Sequence, residues 1–153
     1  MKLSLKALVL CSAAILSSGI AGAQEDVIGY VKTVTGNAVI VVDGQPAAAL
    51  PGAPLRKGNV LKTGNPGSIG VTLKDNTMLS AGPDSEIALD EYAFTPGDDQ
   101  LRLALRMVKG TLYYISGVIA KLKPESVDIR TPTGLIGVRG TEFVVRVDPR
   151  DAP

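Results

Sequence analysis

The chain has no histidine and no tryptophan, and its single cysteine, Cys11, lies in the first dozen residues. Each absence removes a class of chemistry. Without histidine, the usual general base near neutral pH and the commonest metal ligand are both missing. Without a cysteine beyond Cys11, most of the chain has no thiol nucleophile, thiolate metal site or disulfide. Aromatic residues are scarce, at four tyrosines and two phenylalanines. No basic run exceeds two residues. Nucleic-acid binding calls for a basic footprint with stacking side chains, so it is not expected.

What is present begins with a leader. Lys2 and Lys6 precede an uncharged run over Ala7–Ile20, and Ala21-Gly22-Ala23 is followed by the polar Gln24-Glu25-Asp26. This is the layout of a secretory signal peptide, residues 1–23, cleaved after Ala23. The apolar run is short for a membrane span. Leu10 before Cys11, with apolar residues continuing after it, argues against lipidation there. The expectation is a periplasmic or secreted protein with no membrane span after cleavage. Its one domain would cover residues 24–153, with a core at about 27–147. All 15 acidic residues follow Ala23 and two of the 16 basic ones precede it, so that part carries a net charge of 14 − 15 = −1. A chain of that length can bury a core without disulfides.

Turn signals and alternating apolar residues predict an all-β fold of short, mostly antiparallel strands, sandwich-like or solenoid-like. Strands are expected at Val27–Val34, Ala38–Val42, Val60–Thr63, Ser68–Leu73, Thr77–Ala81, Glu86–Tyr92 and Thr111–Ile115. Breaks are expected at Gly36-Asn37, Gly64–Gly67 and Lys109-Gly110. Gln45–Pro54 reads as a loop or irregular edge because of its prolines. Leu101–Met107 is rich in good helix formers. Its apolar residues nevertheless recur at every second position, which sets Leu101, Leu103, Leu105 and Met107 on one face of a strand and Arg102 and Arg106 on the other. Ser116–Pro124 reads equally as a short helix or a loop.

The most distinctive stretch is Val127–Val147. Two β-favouring runs, Val127–Arg130 and Phe143–Val147, flank Gly134, Gly137 and Gly140, with Arg139 among apolar neighbours. These glycines lack the spacing and the following helix of a dinucleotide fingerprint. If the segment lies inside, Arg139 needs internal acceptors, such as Glu142, Asp128 or backbone carbonyls. The expectation is therefore an internal clasp rather than an anion or partner contact.

The run Thr131-Pro132-Thr133-Gly134-Leu135-Ile136-Gly137-Val138-Arg139-Gly140-Thr141-Glu142-Phe143-Val144-Val145 resembles the signature of the FecR domain family. Its motif positions here are Thr131, Pro132, Gly137, Val138, Arg139, Gly140, Thr141 and Phe143, read as structural. Gly58–Gly64, Val71–Thr77 and Gly82–Ser85 are similar to the family's first half. There Asn59 and Asn76 replace an expected aspartate and glycine and keep turn chemistry. The resemblance spans about Val27–Val147. It implies an all-β periplasmic domain, as in the iron-uptake regulators that contact the signalling domain of an outer-membrane TonB-dependent receptor. Those regulators also carry an anti-sigma segment and a membrane span. The residues ahead of Val27 read instead as a leader, so the expectation is limited to the fold and a binding role in the envelope.

Enzymatic chemistry would have to rest on carboxylates: Asp84, Glu86, Asp90, Glu91, Asp98 and Asp99. All sit at turn-like or alternating strand positions, where solvated carboxylates are ordinary, and no cleft is suggested. Asp98-Asp99 lacks the ligand spacing of a calcium loop. The expected function is thus non-enzymatic, with no cofactor and no metal: a protein-interaction or signalling module with an envelope protein partner. A cell-wall or polysaccharide-binding module is the alternative, and a carboxylate-based hydrolase ranks third.

Overall fold

The computed structural model describes residues 26–140 and 142–151. The fold is all-β and mostly antiparallel, a single curled sheet with a small barrel-like arrangement. Its strands are β1 (Val27–Val42), β2 (Gln45–Ala48), β3 (Pro54–Arg56), β4 (Val60–Leu73), β5 (Met78–Ala81), β6 (Glu86–Thr95) and β7 (Gln100–Ile115). A five-residue helix, α1 (Val118–Leu122), then precedes β8 (Val127–Thr131), β9 (Gly134–Gly137) and β10 (Glu142–Val147). Ser116–Pro124 therefore takes the helical of its two readings.

The main path runs β2-β1-β4-β5-β7-β8-β9. Off it, β3 pairs β1, β6 pairs both β4 and β7, and β10 pairs β7. Every pairing is antiparallel except β7–β8. The parallel pair is possible because α1 and its flanking turns carry the chain back to the start of β7.

Strand length differs from expectation at three places. Gly36-Asn37, Gly64–Gly67 and Lys109-Gly110 were predicted to end strands, yet β1, β4 and β7 run through them. These glycines bend the strands instead. The β1–β4 register shifts between Gly36 and Ala38, so both strands change direction there and remain paired. The resulting long, bent strands let one sheet curl around its own core. A bulge or glycine inside a strand produces such a bend while keeping the ladder on either side.

The alternation seen in the sequence is the alternation of burial. Leu103, Leu105 and Met107 are fully buried, and Arg102 and Arg106 lie on the opposite face. Ile69, Val71 and Leu73 of β4 face the same interior. Burying each such side chain contributes about 1.5–3 kcal/mol. Ile119 of α1 is fully buried and plugs one end of the core. β10 is held to β7 by pairing and by Phe143 stacked on Tyr114, with ring centroids 4.8 Å apart.

Gln45–Ala48 forms an exposed edge strand despite Pro46, in keeping with the confinement of proline to sheet edges. None of the helices among the described residues is long and apolar enough to cross a membrane.

Candidate functional site

The family-signature stretch forms the β8–β9 hairpin and the link into β10. Thr131 closes the hairpin turn. Its Oγ1 accepts a hydrogen bond from the Gly134 amide at 3.1 Å and donates one to the Gly134 carbonyl at 3.0 Å. Pro132 sits at the exposed tip, where its missing N–H costs nothing. Gly137 ends β9 and is exposed. Val138 turns inward, 3% exposed, and its amide donates to the Val127 carbonyl at 3.4 Å. The Gly140 carbonyl accepts from Ser116 Oγ at 2.7 Å. Thr141 lies outside the described residues.

Arg139 is not the internal clasp that the sequence suggested. It is exposed, and both proposed acceptors are engaged elsewhere. Glu142 takes the hydroxyl of Tyr113, and Asp128 takes Arg102 at 2.6 Å. The physical reason is local. Among the described residues between β9 and β10, only Val138 turns inward, and the next side chain, Arg139, is exposed.

The clasp is Asp75, a residue of the β4–β5 turn that is 0% exposed. Its Oδ2 accepts from Thr77 Oγ1 at 2.7 Å and from the Ile119 amide at 3.2 Å. Its Oδ1 accepts from the Thr77 amide at 3.3 Å and from the Tyr92 hydroxyl at 3.2 Å. Its own carbonyl accepts from the Val118 amide at 2.7 Å. The first turn of a helix leaves amides without internal partners; in α1, Asp75 satisfies two of them. Gly117 allows this approach, because a Cβ there would overlap the Thr77 nitrogen and the Asp75 carbonyl oxygen. In the sequence, Asp75 and Thr77 read only as turn residues. An aspartate two residues before a threonine is a turn signal, and nothing in it foretells that a helix 40-odd residues later will cover the turn.

Burial, and then the Asp75 charge, raise the pKa of Tyr92 above the usual tyrosine range. The unfolded chain loses this proton near pH 10, whereas the folded chain keeps it. The stabilisation is therefore complete below about pH 10 and is lost as the pH rises further. The unfolding midpoint should fall when the pH is raised from about 9 to 11. In Tyr92→Phe the fall should be shallower; an identical slope would show that Tyr92 is not the group responsible.

The carboxylates considered for catalysis mostly pair with cations or amides. Glu86 meets Lys62 at 3.2 Å, Asp90 meets Arg106 at 3.0 Å, Glu91 meets Arg102 at 2.8 Å and Asp99 meets Lys123 at 3.2 Å. Asp84 accepts from Asn65 Nδ2 at 3.0 Å. The hydrogen bond from Arg102 holds the Glu91 carboxyl below its usual range. Glu91, Arg102 and Asp128 thus form a charge row across β6, β7 and β8. Such a row pairs charges across the outer face of the sheet.

The chemically open part of the molecule is β9. It pairs only with β8, so among the described residues its other edge carries no strand. Its sequence is Gly-Leu-Ile-Gly, without charge or proline. Leu135 is 65% exposed, the most exposed of the large hydrophobic side chains. Two open grooves flank it, of about 210 Å³ toward the end of β10 and about 540 Å³ toward the turn before β8, and Leu135 lines both. Arg146 lies in the first and Arg139 in the second.

Among the described residues, the curled antiparallel sheet thus leaves one edge of the uncharged β9 without a partner strand, with Leu135 exposed beside it. A family model described as FecR protein matches residues 59–152. The chain belongs to the FecR family, whose members are signalling regulators rather than enzymes and whose domains are periplasmic. Among solved structures, the chain is similar to one described as a cell surface anchoring domain. The identity is 27%, over 40% of this chain and 82% of that one, with a TM-score of 0.38. No curated protein matches the chain.

Proposed function

We propose that this protein is a non-enzymatic interaction module of the cell envelope that receives a partner protein along the free edge of β9. It is exported by the leader at residues 1–23 and acts as the domain of residues 24–153. The observation that carries this reading is β9 itself, an uncharged strand with one unpaired edge and an exposed leucine at its centre. Natural sheets usually blunt such edges with charge, proline or a covering element. A bare edge offers backbone hydrogen bonds to an added strand, and its side chains supply the selectivity. Family membership supports the envelope setting.

The test is site-specific photocrosslinking in living cells. A photoreactive residue at position 135 should give a discrete protein adduct, and one at the equally exposed Leu50 should not. If position 135 gives no adduct while the protein sediments with purified cell wall, the protein-docking reading fails. Mass spectrometry of the exported protein should show a chain starting at Gln24; a retained Met1 would refute cleavage.

A further inference from the structure

We infer that two copies of this chain pair through their β10 strands, edge to edge and antiparallel, about a two-fold axis at Val144. This contact uses a different edge of the sheet from the docking at β9 and does not depend on it.

Among the described residues, β10 pairs with β7 along one edge and with no strand along the other. It runs Glu-Phe-Val-Val-Arg-Val, six residues against the four of β9. Its side chains alternate. Phe143, Val145 and Val147 turn to the core, while Glu142, Val144 and Arg146 are exposed. Val144, at the centre of the outer row, is 61% exposed. An open groove of about 210 Å³ lies between Val145–Val147 and the β8–β9 hairpin. The edge strands β2 and β3 each contain a proline, which hinders an added strand. No proline interrupts β10.

Charge fixes the register. Antiparallel pairing of β10 with itself, centred on Val144, sets Glu142 opposite Arg146 of the second copy and Arg146 opposite its Glu142. Directly opposite residues share a face, and opposite charges there stabilise a strand pair. Val144 then meets Val144, and Phe143 meets Val145. Slipping one strand by two residues would set Val144 opposite a charge. Slipping by one would put outward side chains of one copy on the inner face of the other. Both charged groups can take part. The Tyr113 hydroxyl bonds Glu142 through Oε1, and an ionised carboxylate also accepts at its second oxygen. Arg146 acts on Asp148 through its charge, while the Asp148 carboxylate is bonded by Arg150.

Charges on an edge strand usually block edge-to-edge association. A glutamate and an arginine placed symmetrically about a central valine do the reverse for one partner. They admit a second copy in one register and oppose strands that lack the pattern. Stable interfaces bury about 1,200–2,000 Å². A six-residue edge is small on that scale, so the dimer is a weak one that fills at high protein concentration.

Sedimentation equilibrium of the purified exported protein tests this. The parent should show a monomer–dimer equilibrium that weakens as salt rises. Glu142→Arg and Arg146→Glu should each raise the dimer dissociation constant at least about tenfold, because each sets like charges opposite one another. Mixed in equal amounts, the two variants should dimerise again, since one then carries two arginines on β10 and the other two glutamates. Unfolding midpoints control for an intact fold. If Glu142→Arg lowers the midpoint, Val144→Lys gives the same reading with the Tyr113–Glu142 bond retained, because two lysines would meet on the axis. A parent that stays monomeric at its highest soluble concentration would overturn the pairing. So would a dimer that the single variants keep, or single variants whose mixture stays monomeric.

Discussion

Asp75→Ala is expected to lower stability by about 3–5 kcal/mol, the range for removing one member of a buried charged network. The loss has identifiable parts. The substitution strands the Thr77 amide and hydroxyl, the Ile119 amide and the Tyr92 hydroxyl, four donors that now converge on one carboxylate. A buried donor left without an acceptor costs about 1–3 kcal/mol, and relaxation of α1 toward water would recover part of the total. Asp75→Asn should cost less, about 1.5–3 kcal/mol, because one oxygen remains to accept while the new NH₂ group faces a donor. Urea or thermal unfolding reads both. As a control, the exposed Asp98→Ala should stay within about 0.5 kcal/mol of the parent. If Asp75→Ala matched that control, the account of Asp75 as the clasp of α1 would be wrong.

A loss of similar size, about 3–4 kcal/mol, is expected for Gly110→Ala, from backbone strain combined with an overlap that cannot relax. Gly110 has φ +94°, a region that side-chain-bearing residues rarely occupy. It sits in β7 where the strand leaves β6 and joins β5 and β10. A Cβ there would overlap the Ser85 backbone and would lie 2.6 Å from the Ser85 Cβ. Ser85 cannot simply move aside. Its Oγ accepts from the Thr111 amide at 2.9 Å, and its amide donates to Thr63 Oγ1, also at 2.9 Å. Thr63 Oγ1 in turn donates to the Gly82 carbonyl at 2.6 Å. Displacing Ser85 would loosen this whole knot, which ties the β5–β6 turn to the bend. Gly97→Ala, at an open position, should be close to neutral. A Gly110→Ala protein as stable as Gly97→Ala would show that the bend does not depend on glycine.

Much of the fold could be read directly because burial alternates along these strands. Leu101–Met107 is the clearest case. Its composition favours helix, its period favours strand, and the period prevailed because it places four apolar side chains in one core. Strand ends were harder to read. A glycine that breaks a strand and a glycine that bends one have the same local signature; the partner strand decides between them. Gly36 bends because β4 changes register opposite it, a fact about residues some 30 positions away. The site was legible in outline only. The signature stretch does hold β9 and Arg139, but burial of Arg139 could not be judged from its apolar neighbours, of which only Val138 faces fully inward. Asp75 gave no sign of its role, since that role is created by α1 packing over a turn.

The central place of β7 bears on how the molecule comes apart. Strands from before it in the chain, β6 and then β5, pair with residues 100–109 and 112–115 along one edge, and strands from after it, β8 and β10, pair with residues 103–106 and 110–115 along the other. Neither half of the chain can close a core without this strand, and β7 cannot bury Leu103, Leu105, Met107 and Leu112 with either half alone. Unfolding should consequently be a single cooperative transition, with coincident loss of sheet signal and tyrosine environment, rather than stepwise release of an amino-terminal and a carboxy-terminal piece.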